Sequence, residues 1–175
     1  LVGSEMCIRD RFGDIAADGG TEGRDLGGRL VVPGFIDSHI HGIRGFDFED
    51  PNCDFAAAAA VLKRDGTTSF LATISPFTPS GERKPAYKTL ECPGLEGFHM
   101  EGPYINPRRQ GGFYDGQIRP YDAVEAEALF EEFQGRIRIM TAAPECVDIP
   151  SLCALASRYG ALLSAGHSDA GYDTA

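Results

Sequence analysis

The sequence predicts an α/β fold, a partial (β/α)8 barrel of the TIM type built from about five βα units. Three observations point there. Short apolar, β-prone segments alternate with helix-like stretches, and strand starts recur every 25 to 42 residues, near the ~30 residues of one unit in such a barrel. Two of the three helix-like stretches open on capping residues, and all three are followed by glycine. The polar side chains of the strands collect at their C-terminal ends, the rim where barrels of this type carry their sites. An open doubly wound sheet has the same spacing, so the third observation decides between them.

The strand segments are 35–41, 69–74, 94–101, 136–141 and 162–167. Helices are expected over 54–65, 122–133 and 149–159. Asp54 and Asp122 stand where an N-cap belongs, and Glu125 follows Asp122 at capping-box spacing. Gly66, Gly135 and Gly160 come directly after the helical runs, where a left-handed residue ends a helix. Ala56 to Ala60 reads as good helix-forming sequence rather than as a special tract.

The chain has 175 residues, 42% of them hydrophobic, enough to bury one core and too apolar for wholesale disorder. The apolar run from Phe55 to Leu62 has 8 residues, far below the ~20 of a membrane-spanning helix. A net charge of −10 disfavours non-specific binding to nucleic acid or to an anionic membrane. The expected partner is therefore a small molecule, and an anionic one would need a local basic pocket. Five cysteines, at positions 7, 53, 92, 146 and 153 and without a C-x-x-C pair, read as reduced thiols of a cytoplasmic protein. Residues 1–11 show no periodicity and no signal-peptide pattern. They are expected to be a non-native leader, and the whole chain, which stops where another helix would start, reads as a fragment.

Alternation along a strand puts Asp37, His39 and His41 on one face of the first strand. Two imidazoles two residues apart at a strand end can grip one metal ion, or can simply hydrogen-bond each other. On the third strand His99 and Glu101 share a face, and Gly102-Pro103 ends it. Glu101 could bind or bridge a divalent metal. His99, one step deeper, reads as a supporting or packing residue. On the fifth strand His167 comes last, sharing a face with Leu163 and Ala165. Three of the four histidines thus sit at strand ends, which raises a metal site above chance scatter.

The block Val32-Pro33-Gly34-Phe35-Ile36-Asp37-Ser38-His39-Ile40-His41-Gly42 resembles the opening signature of the amidohydrolase superfamily. Three further segments narrow the likeness: Gly66-Thr67-Thr68-Ser69-Phe70-Leu71-Ala72-Thr73, then Phe98 to Pro107 around Glu101-Gly102-Pro103, and Ala142-Ala143-Pro144-Glu145 with Ser164-Ala165-Gly166-His167-Ser168. Together, over residues 30 to 172, they resemble the N-acetylglucosamine-6-phosphate deacetylases. The resemblance implies a metal-dependent hydrolase that removes acetate from the phosphorylated amino sugar, leaving glucosamine 6-phosphate. It matches Glu101 and His167 to metal ligands, and His39 and His41 to a pair found in members with a second ion. Zinc is the first expectation, one ion or two, and iron fits the same donors. The family's acid–base aspartate falls beyond Ala175, so no catalytic residue is assigned within the chain. The family also implies a homodimer for the full-length protein.

The likeness assigns Gly112 and Phe113 to the substrate loop, where the family often has Gly-Ala-His or Gly-Thr-His. Phe113 cannot make the histidine's hydrogen bond, which loosens the link to one sugar. Arg108 and Arg109 could attract phosphate or stay solvated, and Asp37 and Glu145 read as supports of the site. By the same resemblance, residues 12–30 would be the remnant of a small N-terminal β-sandwich, and 31–175 the N-terminal part of the barrel. Five of eight strands leave open edges, so the 175 residues alone are expected to be inactive and poorly stable. Two alternatives stay open: another amidohydrolase acting on an amide or cyclic amide, and a metal-binding relic without catalysis.

Overall fold

The computed structural model describes residues 30–84 and 91–174. The expected leader over 1–11, and nearly all of the expected β-sandwich remnant over 12–30, lie outside the described residues. In chain order the elements are β1 (Phe35–Ile40), β2 (Gly42–Ile43), β3 (Phe46–Asp47), α1 (Phe55–Arg64), β4 (Thr67–Ile74), β5 (Leu95–Glu101), α2 (Ala123–Glu132), β6 (Ile137–Ala142), α3 (Ile149–Arg158) and β7 (Leu162–Ala165). Short 3-10 turns at Pro107–Arg109, Asp115–Gln117 and Pro144–Cys146 connect them.

Five strands form one parallel sheet in the order β1-β4-β5-β6-β7. Strands that follow one another along the sheet also follow one another in the chain, as in part of a barrel rather than a doubly wound sheet with a switch of direction. The sheet is curled. The His99 ring of β5 passes across β4 to the Ser38 carbonyl of β1, 2.8 Å away.

Alternation divides each strand between two environments. Phe98 and Met100 of β5 face the helices and are completely buried with Phe70, Leu129 and Leu152. His99 and Glu101 take the opposite, concave face and are also buried. The polar groups there hold one another, and no buried side-chain nitrogen or oxygen is without a partner among the described residues.

The helices begin where the capping residues stand. Asp54 Oδ1 accepts from the Ala57 N–H at 2.9 Å, and Asp122 Oδ1 from the Glu125 N–H at 2.8 Å. Asp148 supplies the same contact for α3. Gly66, Gly135 and Gly160 follow the helices at positive φ, as helix termination requires. Among the described residues, no helix is long and apolar enough to cross a membrane.

Three features differ from expectation. A two-residue hairpin, β2–β3, follows β1, turning on Arg44 and Gly45 at positive φ. β1 bulges, since Asp37 pairs with Phe70 and Ile40 with Ala72, so three steps on β1 match two on β4. β7 ends at Ala165, and His167 stands beyond it at φ 50°. The Gly166 N–H bonds back to the Ala142 carbonyl and turns the chain out of the strand.

Candidate metal centre

Glu101 closes β5 at the C-terminal rim, and three imidazoles meet its carboxylate. His41 Nε2 lies 3.2 Å from Oε2, while His39 Nε2 lies 3.7 Å and His167 Nε2 3.0 Å from Oε1. The two nitrogens of the H-x-H pair are 3.2 Å apart. Donors bound to one ion at 2.0–2.1 Å in a tetrahedron stand about 3.3 Å from each other. His39, His41 and Glu101 have that spacing, with ligand atoms all within 4.8 Å of one another. His167 reaches the carboxylate from β7, outside that group of three. The four expected ligands therefore share one rim, two imidazoles on one side of Glu101 and one on the other.

Tautomers follow from the backbone. The Arg109 carbonyl lies 2.8 Å from His167 Nδ1. A carbonyl only accepts, so Nδ1 carries a proton there, and Nε2 is the nitrogen turned to the site, where it donates to Glu101 Oε1 and would bind an ion through its lone pair once that proton is displaced. Gly111 makes this contact possible, since at φ 60° a Cβ there would stand 3.3 Å from His167 Cε1. Burial would push the Glu101 carboxyl up, but hydrogen bonds from His41 and His167 overcome it and hold the group at about 2. The same contact with Glu101 raises the His41 pKa against its own partial burial. A buried carboxylate ringed by imidazole nitrogens that can exchange their protons for a cation is a donor set that fits a divalent ion.

His99 is not one of these donors. Its Nδ1–H donates to the Ser38 carbonyl, and Nε2 accepts from the Thr141 hydroxyl at 2.7 Å. Burial lowers its pKa and keeps the ring neutral. Asp37 turns back to accept from the His39 N–H at 3.1 Å, which makes it a backbone support.

Glu145, after β6, ties three rim loops together. It accepts from Asn106 Nδ2 at 2.8 Å, the Ser168 hydroxyl at 2.6 Å and the Asp169 N–H at 2.6 Å. Desolvation would raise its pKa, and these donors together outweigh it and bring it down to about 2. Sequence reasoning placed Glu145 as a support but did not find Asn106, Ser168 or Asp169 as its partners. Arg109 binds the Asp169 carboxylate through two nitrogens, and Arg108 reaches it at 3.1 Å. Neither arginine is a free phosphate ligand.

A cleft of about 1120 Å³ opens over the centre, with His41, Glu101 and His167 in its floor and Gly112 and Phe113 in its wall. The Phe113 ring stands edge-on to His167, centroids 5.2 Å apart. Lys84 also lines the cleft, paired with Glu49. Phe113 therefore sets an apolar surface beside His167, while Gly112 has no atom within 4 Å of where a Cβ would be.

No family model matches the chain. Individual proteins do. It is 31% identical over 166 residues to the N-acetylglucosamine-6-phosphate deacetylase of Bos taurus, covering 88% of the chain and 41% of that protein. To the Bacillus subtilis deacetylase of the same name it is 34% identical over 152 residues, 81% and 38% of the two chains. Among solved structures, a mutant N-acetyl-D-glucosamine-6-phosphate deacetylase of Mycobacterium smegmatis in complex with N-acetyl-D-glucosamine-6-phosphate superimposes with a TM-score of 0.67. That match is 27% identical and covers 82% of this chain and 39% of the other. The chain thus spans about two fifths of the length of the curated relatives it matches. Over most of its own length the chain is thus similar, in sequence and in its partial (β/α)8 fold, to N-acetylglucosamine-6-phosphate deacetylases.

Proposed function

We propose that the chain supplies the metal-binding rim of an enzyme that hydrolyses the acetamide of N-acetylglucosamine 6-phosphate, releasing acetate and glucosamine 6-phosphate. The reading rests on one observation above all, the convergence of three imidazoles on the buried Glu101 carboxylate in a chain similar to deacetylases along most of its length. His39, His41, Glu101 and His167 would hold the ion. Zinc is our first assignment and iron the second, as one ion or two. Such an ion polarises the acetamide carbonyl and lowers the pKa of a bound water.

The protein's own groups have defined tasks around it. The Arg109 carbonyl, by holding Nδ1–H, keeps His167 Nε2 turned to the site. Gly112 leaves the cleft wall open to the substrate backbone-side, and Phe113 covers it with carbon, excluding water beside His167. Glu101 is engaged by imidazoles and Glu145 by three donors, so neither is assigned the proton transfer to the leaving amine. Lys84 is paired to Glu49, and both rim arginines to Asp169. We assign none of them to the phosphate. A small amino-sugar phosphate as substrate, a cytoplasmic setting and a homodimer complete the proposal, on the family resemblance.

The test is acetate release from N-acetylglucosamine 6-phosphate by the chain expressed within its complete native coding sequence, loaded with Zn(II) or Fe(II). Turnover that chelator abolishes and Glu101→Gln removes supports the proposal. Tight metal uptake without release of acetate would point to the non-catalytic relic, and turnover of a cyclic amide instead would move the site to another amidohydrolase reaction.

A further inference from the structure

His39 occupies the bulge of β1, where the regular ladder to β4 is interrupted. Three side chains replace the missing ladder bonds around it. The His39 N–H donates to Asp37 Oδ1. The carbonyl before it, of Ser38, accepts from His99 Nδ1–H of β5 at 2.8 Å. The N–H after it, of Ile40, donates to Thr73 Oγ1 of β4 at 2.9 Å. The His99 ring also stands edge-on to the His39 ring, centroids 4.7 Å apart. His99 is fixed in turn by the Thr141 hydroxyl of β6, and it is 5% exposed.

We infer that His99 is a positioning residue for the metal centre, holding the Ser38–His39 peptide so that the His39 imidazole faces Glu101. It touches neither substrate nor ion. A bulged dipeptide without ladder bonds has several accessible orientations, and the bonds from His99 and Thr73, one on each side of His39, select one. This inference rests on the metal-site reading above and assigns a task to the one histidine that the ligand set leaves out. Partners of this kind, which orient a ligand without binding the metal, typically carry ~10–100-fold of metal affinity.

Two substitutions separate the roles of the ring nitrogens. Asparagine places an N–H₂ near the position of Nδ1 and keeps the donor to Ser38. Glutamine reaches the position of Nε2 and keeps only the contact to Thr141. Binding of Co(II), followed by its visible absorption and by calorimetry, is the readout, with thermal unfolding of the metal-free protein measured alongside. We expect His99→Gln to weaken binding ~10–100-fold and His99→Asn to stay close to the unsubstituted protein. In a His39→Ala background, His99→Gln should produce no further loss, because its effect runs through His39.

Equal losses for both substitutions, or the same loss with and without His39, would overturn the inference in favour of a general packing role. Unchanged affinity in His99→Gln overturns it while leaving the metal centre standing. Failure of the unsubstituted protein to take up metal overturns the centre and this inference together. Should His99→Gln not fold, Thr73→Val releases the Ile40 N–H on the other side of His39, and its loss must likewise vanish in the His39→Ala background.

Discussion

Glu145→Gln tests the rim most directly, because the structure sets both the size and the pH window of its effect. The carboxylate accepts three hydrogen bonds from groups on two other loops, and its pKa stands at about 2 against an ordinary 4.5. At ~1.4 kcal/mol per unit, the full shift corresponds to about 3.4 kcal/mol. Glu145 is exposed, and water competes for each bond, so about 1 kcal/mol is the realistic contribution. Glutamine with its oxygen at the Oε1 position keeps the Asn106 and Asp169 donors without the charge, and turns an N–H₂ toward the Ser168 hydroxyl, which donates to Oε2 in the native protein.

The sign follows from the direction of the shift. A carboxyl whose pKa is lower in the folded than in the unfolded state stabilises fully above the unfolded value and loses the effect as pH falls through the folded one. Metal-free Glu145→Gln should therefore be about 1 kcal/mol less stable at pH 7. The gap should narrow from pH 4.5 and be nearly gone at pH 2. Urea midpoints of the two proteins at pH 7, 4 and 2.5, with chelator present, measure it. Glu101 titrates in the same range but is common to both proteins and cancels in the difference. A gap that is constant across this range, or absent at pH 7, would refute the account.

Neighbouring glycines give a paired test. Gly111→Ala puts a methyl 3.3 Å from His167 Cε1 at φ 60°, and should weaken Co(II) binding at least tenfold, whereas Gly112→Ala, with open space around it, should leave metal affinity as it was and act on the KM for substrate. Phe113→His restores a hydrogen-bonding side chain next to His167, so a steady-state comparison should give a lower KM for N-acetylglucosamine 6-phosphate, with the gain smaller for an amide lacking sugar hydroxyls. Leu129→Ala removes a completely buried core side chain remote from the rim. It should lower stability by about 2–5 kcal/mol in denaturant melts without changing the affinity of folded protein for metal.

Why some of this was legible in the sequence and some was not has a physical pattern. Strands β4 to β6 and all three helices lie within two residues of the expected bounds, because apolar segments between Gly, Pro and Asp signals are local properties of the chain. His39, His41 and Glu101 were found by the same local rule, period-two alternation ending at a turn. His167 was found for the right rim but with the wrong local geometry. Its turn depends on the Gly166 bond to Ala142 and the Asn106 bond to the His167 carbonyl, both of them made across the sheet. The β2–β3 hairpin escaped because two-residue strands carry no period. Residues 12–30 stay with the resemblance alone.

The partners of Glu145 and His99 were out of reach for a stronger reason. Ser38 and His99 are 61 residues apart, Asn106 and Glu145 are 39 apart, and only the strand order brings each pair together. The proposed ligands of the centre are thus encoded locally, while their aim is encoded by neighbours that the fold must first assemble. It follows that substitutions at Thr73, His99, Thr141 or Glu145 should alter metal affinity while every ligand is intact. A site whose affinity depended on its four ligands alone would be indifferent to all four changes.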